Sequence, residues 1–257
     1  MNISDAAILG VIEGLTEYLP ISSTGHLIAA SQLMGLPADA FQKSFEIGIQ
    51  SGAILSVLIV YYDKFFKNFN IEFYKKLVFA VIPTVILGLL LKKRIDSWLE
   101  SLLIVATTTL LGGIFLVWME RKNLFSQNKK TIESLTIKEC MLLGLAQSCA
   151  MVPGTSRSGA TIVGGLFIGL TKEQATEFSF FLAVPTLIGA TILKVKDVIP
   201  YLTPESTKVF GVGWLVSFIV AIFAIKGFIK LVSSKGFTGF GIYRILFGLF
   251  LFWVIWK

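Results

Sequence analysis

Six apolar runs, each about long enough to cross a lipid bilayer, constrain the fold of this chain more than any other feature. They cover residues 42–62, 75–91, 99–119, 176–195, 209–231 and 238–256. A transmembrane helix needs roughly 20 mostly apolar residues, so only the second run is short and would cross with little tilt. Charged residues make up 15% of the 257 positions, whereas soluble domains carry about 25%. The sequence therefore predicts an all-α integral membrane protein with one membrane domain, residues 1–257.

Two further apolar segments, residues 4–34 and 139–170, are each interrupted midway. Pro20 and Pro153 lead into turns rich in Ser, Thr and Gly. Proline removes a backbone donor and glycine weakens a helix, so a continuous spanning helix is not expected there. Each segment predicts two half-helices joined by a turn. Such a re-entrant hairpin is tolerated at membrane depth where protein or a watery cavity satisfies its backbone.

The two interrupted segments also resemble each other, which indicates an internal duplication. Each contains a Gly followed three residues later by a carboxylate or amide, Glu13 or Gln147, although aligning the prolines needs a one-residue gap. Each half of the chain is then a hairpin followed by three spans. Because three is odd, the second half enters the membrane from the opposite face. We therefore predict an inverted-topology repeat, with repeat one at about 1–119 and repeat two at about 139–257.

The basic residues predict how the chain is oriented. The net charge of +7 comes largely from short clusters between apolar runs, which are typical of membrane topology signals rather than of nucleic-acid binding. Basic residues are more numerous on the side that carries the polar segment 120–138, although the cluster at 92–94 lies on the other side. We expect the 120–138 loop in the cytoplasm and both termini outside.

Glu13 and Glu17 are the first candidate site residues. They are four positions apart in a predicted helix and so share one face. Two ionised carboxylates in an apolar setting repel each other, unless one is protonated or a cation lies between them. Mg²⁺ or Ca²⁺ would suit these oxygen ligands. The alternative is a solvated face of an interfacial helix, but ionisable residues inside a membrane are usually functional.

The first polar turn combines hydroxyl groups, a helix start and the one histidine of the chain. Its residues are Ser22, Ser23, Thr24, Gly25 and His26. Backbone N–H groups at a helix N-terminus bind phosphate, and histidine suits proton transfer near neutral pH. The alternative for His26 is a hydrogen-bonded core residue without a chemical role.

The second polar turn contains an arginine among hydroxyl side chains. Arg157 offers a planar fork of donors that can pair with two phosphate oxygens. Ser156, Ser158 and Thr161 add hydroxyl donors beside it. The alternative for Arg157 is an interfacial side chain that extends to lipid headgroups.

Four more polar residues have open roles. Glu46, Gln50 and Glu177 either line a cavity or serve in packing and capping, and Arg244 either binds phosphate, pairs with a carboxylate or extends to the interface. Together, the carboxylates, hydroxyls, histidine, arginine and helix N-termini of the two turns suit phosphoryl transfer, where catalysis is mostly positioning and charge stabilisation.

The two turns resemble the signature motifs of a known family. EGLTEYLPISSTGH at 13–26 and PGTSRSGAT at 153–161 look like the two motifs of the bacterial undecaprenyl-diphosphate phosphatases of the bacitracin-resistance type. Residues 45–55 and 177–185 also resemble this family, so the similarity covers essentially the whole chain. The resemblance implies an inverted repeat of hairpins and spans in the bacterial plasma membrane. It also implies hydrolysis of undecaprenyl diphosphate to the monophosphate carrier of cell-wall synthesis, at a site that faces the outer side and needs a divalent cation.

The resemblance also implies which residues act. Those at the matching motif positions are Glu13, Glu17, Ser23, His26 and Arg157, with Ser22, Ser156 and Thr161 in support. We expect Ser23 to attack the distal phosphorus or to orient the attacking group, and His26 to transfer the proton. Glu13 and Glu17 would hold the metal or act as base, and Arg157 would neutralise phosphate oxygens. A phosphohistidine at His26 is the main rival mechanism.

Two other functions are alternatives for such a chain. The acid-phosphatase-like lipid phosphatases need a second histidine six residues after the arginine, where this chain has Val163. A transporter or flippase of the polyprenyl phosphate lipid stays open, because inverted repeats with broken helices are its usual architecture. The expected partners are a polyprenyl diphosphate lipid and the membrane but no nucleic acid, and a homodimer is left open.

Overall fold

The computed structural model describes residues 1–37, 39–99 and 101–257, and these residues form ten α-helices. In chain order they are α1 (Ile3–Thr16), α2 (Ser23–Leu33), α3 (Ala40–Val60), α4 (Ile71–Leu99), α5 (Leu102–Arg121), α6 (Ile137–Ser148), α7 (Arg157–Ile168), α8 (Lys172–Val198), α9 (Pro204–Lys235) and α10 (Thr238–Trp256). Within the described ranges, β pairing is limited to one isolated bridge between Lys130 and Leu170. The prediction of an all-α fold is confirmed.

The helices α3, α4, α5, α8, α9 and α10 are long and apolar enough to cross a membrane, which confirms the six predicted spans. The largest difference concerns α4, which covers residues 71–99 rather than the short run 75–91. Charged residues at the ends of that run do not end the helix. Lys76, for example, donates to the carbonyl groups of Ile132 (3.0 Å) and Glu133 (2.6 Å). The expectation of a short second span was wrong, because the helix continues through the basic residues 92–94 as far as Leu99.

Both interrupted segments form pairs of short helices, as predicted. The first helix of each pair begins with a capping box, in which a side chain accepts a backbone N–H three residues later. Asn2 accepts from Asp5 at the start of α1, and Thr136 accepts from Glu139 at the start of α6. Residues 17–22 then connect α1 to α2, and residues 149–156 connect α6 to α7.

Both connections end in a serine with an unusual backbone conformation. Ser22 has φ = 72° and Ser156 has φ = 75°, a region that residues other than glycine rarely adopt. Each serine is the N-cap of the helix that follows. Ser22 Oγ accepts from the Gly25 N–H (3.4 Å), and Ser156 Oγ accepts from the Gly159 N–H (3.1 Å). The two turns therefore share a local structure as well as a sequence pattern.

Several helix contacts recur when the two halves are exchanged, although the α7–α8 contact has no counterpart of similar extent between α2 and α3. α1 packs on α9 as α6 packs on α4, and α3 packs on α9 as α8 packs on α4. The α5–α10 and α3–α8 contacts join helices that occupy equivalent places in the two halves. This is the pattern that a two-fold relation between the halves would produce. Their opposite orientation in a membrane stays a prediction.

Helix α1 approaches α9 closely through two glycines. A Cβ atom at Gly10 would lie 2.6 Å from the Gly213 carbonyl oxygen, and one at Gly14 would lie 2.6 Å from the Ser217 carbonyl oxygen. A side chain at either position would therefore force α1 and α9 apart. The close contact places Glu13, which adjoins Gly14, at 0% exposure.

The polar segment between the halves is held against the helices. The Asn128 amide donates to the carbonyl groups of Leu166 (2.7 Å) and Leu170 (2.9 Å). Further along, Lys64 forms an ion pair with Glu133 at 2.8 Å. The hydrogen bond from Lys64 lowers the pKa of the Glu133 carboxyl group below its ordinary value. The cytoplasmic position expected for this segment stays a prediction.

Candidate active site

The two polar turns meet, although more than a hundred residues separate them in the chain. The Ser158 hydroxyl donates to the Leu19 carbonyl group at 2.7 Å. The Ser156 hydroxyl lies 3.0 Å from the Ser158 hydroxyl. One nitrogen of Arg244, Nη1, donates to Pro20 in the first turn and to Thr155 in the second, both at 2.9 Å. Residues of both predicted turns thus contribute to one buried cluster.

Glu17 lies at the centre of this cluster. Its Oε2 accepts a hydrogen bond of 2.6 Å from the Ser23 hydroxyl. Its Oε1 accepts from Arg157 Nη2 (3.2 Å) and Nε (3.4 Å). Ser23 and Arg157 are the first residues of α2 and α7, so they hold the same place in the two turns. One carboxylate therefore joins a hydroxyl from one turn to a guanidinium from the other.

Contacts with neighbouring residues hold the Arg157 guanidinium within the buried cluster. The side chain is 11% exposed, and Nη1 donates to the Ser179 carbonyl group on α8 at 3.0 Å. The guanidinium carbon lies 5.8 Å from the centre of the Tyr18 ring, within cation–π range. An arginine extended toward lipid headgroups would not have these contacts, so the alternative reading of Arg157 is wrong.

Glu13 is the exceptional group of the cluster. It is 0% exposed, and both carboxylate oxygens lack a hydrogen-bond partner among the described residues. The charges of Glu17, Glu46 and Arg157 act on it from nearby. A solvated face of an interfacial helix is excluded by this burial. An unpaired buried carboxylate is costly, so the position suits either a protonated carboxyl group bonded to Glu17 or a carboxylate completed by a bound cation.

His26 has partners for both ring nitrogens. Nδ1 lies 2.7 Å from the Ser22 carbonyl oxygen, and Nε2 lies 2.6 Å from the Tyr243 hydroxyl. A carbonyl oxygen only accepts, so Nδ1 carries the hydrogen and neutral Nε2 accepts from Tyr243. The ring also stacks on Phe247 with centroids 4.0 Å apart. The hydroxyl of Ser23 is directed to Glu17 rather than to this imidazole.

The other predicted turn residues support the backbone. Thr161 is buried and its hydroxyl donates to the Arg157 carbonyl group at 2.9 Å. The Ser156 and Ser158 hydroxyls connect the turns, as described above. Gly25 N–H is taken by the cap at Ser22, and Thr24 is half-buried. These residues hold the cluster together and surround it.

The acidic residues with open roles have other polar partners. Glu46 Oε1 accepts from the Gln42 amide at 3.0 Å and lies 3.5 Å from the Ser31 hydroxyl. Glu177 accepts from the Gln174 amide at 3.2 Å. Both thus take part in local hydrogen-bonding networks on α3 and α8.

Arg244 has a role that sequence reasoning missed. The side chain is 1% exposed, and its five N–H groups reach five backbone carbonyl groups. Those carbonyls belong to Pro20, Thr108, Thr109, Gly154 and Thr155. Neither a carboxylate partner nor extension to the interface describes this residue. No sequence signal identifies a contact with main-chain oxygen atoms, because every residue has one.

The sequence comparisons identify the family. A family model described as bacitracin resistance protein BacA matches residues 6–250. The chain belongs to the BacA family. Curated BacA relatives named undecaprenyl-diphosphatase include one from Bdellovibrio bacteriovorus, 47% identical over 97% of this chain and 94% of its own length. Another, from Wolinella succinogenes, is 46% identical over 99% of both chains. The resemblance inferred from the two motifs is confirmed.

Proposed function

We propose that this BacA protein hydrolyses undecaprenyl diphosphate to undecaprenyl phosphate and inorganic phosphate. The observation that carries the proposal is the arrangement around Glu17, which places a hydroxyl nucleophile and a guanidinium on the two oxygens of one buried carboxylate. The names of the relatives agree with this reaction. Six helices able to span a membrane suit a substrate with a long polyprenyl chain.

In the proposed reaction, Ser23 attacks the distal phosphorus and Glu17 accepts its proton. A bond forms between Ser23 Oγ and phosphorus, and the bond from phosphorus to the bridging oxygen breaks. Undecaprenyl phosphate leaves with that oxygen. Glu17 gives the proton it accepted to the departing phosphate. Water then attacks the phosphoserine and gives a proton to Glu17. The bond from phosphorus to Ser23 Oγ breaks, and Glu17 returns the proton to Ser23 Oγ as inorganic phosphate leaves. The 2.6 Å bond from Ser23 to Glu17 is within reach for general-base catalysis.

Arg157 neutralises the phosphate oxygens in this scheme. Its Nε and Nη2 form a fork that now faces Glu17 Oε1. A phosphate with two oxygens fits the same fork and carries more charge. Displacement of Arg157 toward the phosphate would free Glu17 Oε1 while Oε2 keeps Ser23. His26 lies in the first turn of α2, and its Nδ1 supports the preceding turn through the Ser22 carbonyl group.

A divalent cation, Mg²⁺ or Ca²⁺, fits the residues present. Within the described ranges, no three His, Cys, Asp or Glu side chains converge in a metal site, so Glu13 and Glu17 would be the protein ligands. The unpaired buried oxygens of Glu13 are the structural observation in favour. Mg²⁺ is commonly held by one or two carboxylates together with substrate phosphates. When bound, such an ion supplies charge stabilisation for the phosphate oxygens.

We further propose that the protein lies in the bacterial plasma membrane with its site on the periplasmic side. The greater number of basic residues on the side of the 120–138 loop supports a cytoplasmic loop and external termini. The α1–α9 contact recurs as α6–α4 and the α3–α9 contact recurs as α8–α4, and this recurrence supports an inverted-topology repeat.

A lipid transporter is the second candidate. The observation in its favour is the presence of two helix pairs broken at Pro-containing turns, which is the usual arrangement around transporter sites. Both functions could use one cavity. The phosphatase is preferred because a transporter has no need for a hydroxyl bonded to a buried carboxylate.

Phosphate release from farnesyl diphosphate by the purified protein in detergent tests the proposal. We expect metal-dependent release that falls about 10³-fold in Arg157→Ala, because a charged donor to the phosphate is lost. Arg121→Ala, at an exposed helix end, is the matched control and should retain full activity. If Arg157→Ala left the rate of phosphate release unchanged, the assignment of Arg157 to the phosphate oxygens would be contradicted. Lipid binding without any release would support transport alone.

The nucleophile is tested by trapping the phosphorylated intermediate and mapping the label by mass spectrometry. We expect the phosphate on Ser23. A label on His26 would defeat the serine mechanism in favour of a phosphohistidine.

A further inference from the structure

We propose that Arg244 is a positioning residue that sets the distance between the two turns, so that Ser23 and Arg157 reach the same carboxylate. The inference rests on the proposed function of that site, and it adds a residue from the last helix that neither motif contains. Its basis is the number, the type and the location of the Arg244 hydrogen bonds.

The hydrogen bonds of Arg244 use its whole guanidinium. Nε donates to Thr109 (3.2 Å), and Nη2 donates to Thr108 (3.1 Å) and Gly154 (2.9 Å). Nη1 donates to Pro20 and Thr155, both at 2.9 Å. Guanidinium carries five N–H groups, so none is left for a substrate phosphate. The group is occupied entirely by the protein.

These acceptors lie at the points where the two turns lead into the site. Pro20 is three residues before Ser23, and Thr155 is two residues before Arg157. Because both carbonyl groups accept from one nitrogen, they are held within two hydrogen-bond lengths of each other. Thr108 and Thr109 add α5 as a third, rigid support. A shift of Arg244 would therefore change the separation of Ser23 and Arg157.

The surrounding structure is built to accept this side chain. A Cβ atom at Gly112 on α5 would overlap the Arg244 guanidinium, and one at Gly113 would lie 2.8 Å from Arg244 Cβ. Burying a cation without a carboxylate is costly, and here carbonyl oxygens alone compensate it. Lysine has three donors on a flexible stem and cannot reproduce the planar fork.

Loss of the Arg244 position should affect the chemical step more than substrate binding. The bond from Ser158 to Leu19 remains and keeps the turns in contact. The polyprenyl chain of the substrate contributes to binding at other surfaces. A displacement of about 1 Å in a positioned group can lower the rate about 10²-fold. We therefore expect a fall in kcat of about 10²-fold with KM changed less than about threefold.

Gly112→Ala is the first test, because it displaces the guanidinium without removing a residue of the site. Gly239→Ala is the matched control, since a Cβ atom there meets no neighbour within 4 Å. We expect Gly112→Ala to lower kcat about 10²-fold with KM changed less than about threefold, in a protein that melts at a lower temperature but is folded at the assay temperature, because hydrogen bonds of Arg244 are lost. Gly239→Ala should behave like the wild-type protein. A folded Gly112→Ala protein with wild-type kcat would overturn the proposal, as would a rise in KM that accounts for the whole loss.

Arg244→Ala with added guanidinium chloride is the second test, measured at millimolar concentrations that do not unfold the wild-type protein. We expect guanidinium to restore kcat at least tenfold, and ammonium chloride to restore none. Equal effects of both salts would overturn the proposal. If the wild-type protein released no phosphate, the proposed function would be rejected and the positioning role with it. If the wild-type protein released phosphate and the variants released it equally well, only the role of Arg244 would be rejected.

Discussion

The turn between α1 and α2 and the turn between α6 and α7 end in the same backbone conformation, at Ser22 and Ser156, but differ in their polar contents. Ser22 is nine positions after Glu13, and Ser156 is nine positions after Gln147. In the second copy, Gln147 is buried and hydrogen-bonded. Its amide nitrogen donates to the Thr84 and Thr186 hydroxyl groups, both at 3.0 Å. In the first copy, Glu13 is buried without a partner.

This difference indicates that two segments of similar pattern contribute different groups to the proposed site. In the second segment Gln147 is satisfied by hydrogen bonds, and Arg157 is the donor. In the first segment the Glu13 oxygens lack a hydrogen-bond donor among the described residues, and Ser23 is the nucleophile of the proposed reaction. Ser23 and Arg157 start equivalent helices, so the site arises where the two copies differ rather than where they agree.

The largest effect is expected from removing the nucleophile of the first turn. Ser23→Ala should lower kcat about 10³-fold or more, because the hydroxyl that attacks phosphorus is lost. Phosphate release from farnesyl diphosphate measures the loss. Ser233→Ala, which removes an exposed serine hydroxyl on α9, is the control and should keep full activity. Substantial activity in Ser23→Ala would favour His26 or water as the attacking group.

Exchanging the residue types at Glu13 and Gln147 tests the comparison between the two turns directly. Glu13→Gln makes the first copy like the second, and Gln147→Glu makes the second like the first. We expect Glu13→Gln to reduce phosphate release about 10- to 100-fold and to shift the metal titration midpoint upward, because a metal ligand is weakened. Its melting temperature without metal should change little, since a buried carboxyl group without a hydrogen-bond donor is replaced by a neutral amide of the same size.

The reciprocal variant, Gln147→Glu, should affect stability rather than the metal titration. Gln147→Glu should leave the metal titration midpoint unchanged but lower the stability by about 1–3 kcal/mol, because it places a carboxylate where an amide was satisfied. Thermal unfolding in detergent and metal titration of activity separate the two effects. If Glu13→Gln and Gln147→Glu changed the metal midpoint equally, the two copies would not differ as proposed.

A smaller effect is expected from the contact between His26 and the last helix. Tyr243→Phe removes the hydroxyl that donates to His26 Nε2 but keeps the aromatic ring that stacks on the imidazole. We expect kcat to fall about three- to tenfold, as for loss of one hydrogen bond of about 1 kcal/mol. Tyr62→Phe is the matched control, because the Tyr62 side chain is 56% exposed. No change in Tyr243→Phe would show that the His26 orientation is set by Ser22 and Phe247 alone.

Much of the architecture was predictable because its causes are local. Long apolar runs predict spanning helices, and Pro20 and Pro153 predict the breaks in the two remaining segments. The predicted second span stopped at residue 91, before the basic residues 92–94, whereas α4 continues to Leu99. Hydropathy marks the apolar part of a helix but not the polar turns that extend it.

The sequence predicted residues that meet in the buried cluster, but it did not predict the contacts between them. Glu13, Glu17, Ser23 and Arg157 were identified as charged or hydroxyl groups placed in apolar surroundings. Which groups touch each other was not predictable. Glu17 rather than His26 accepts from Ser23, and Tyr243 rather than a carboxylate bonds to His26.

The sequence by itself determined that this chain has six apolar spans, two interrupted helix pairs and a set of phosphate-binding residue types in two turns. These properties depend on hydrophobicity and backbone preference within short segments, so they need no distant partner. Only the tertiary structure decided that both turns share one carboxylate, that Glu13 lacks a partner where Gln147 has two, and that Arg244 joins the turns through carbonyl groups. The physical reason is that hydrogen bonds between residues far apart in the chain depend on packed helix positions, which local patterns do not encode.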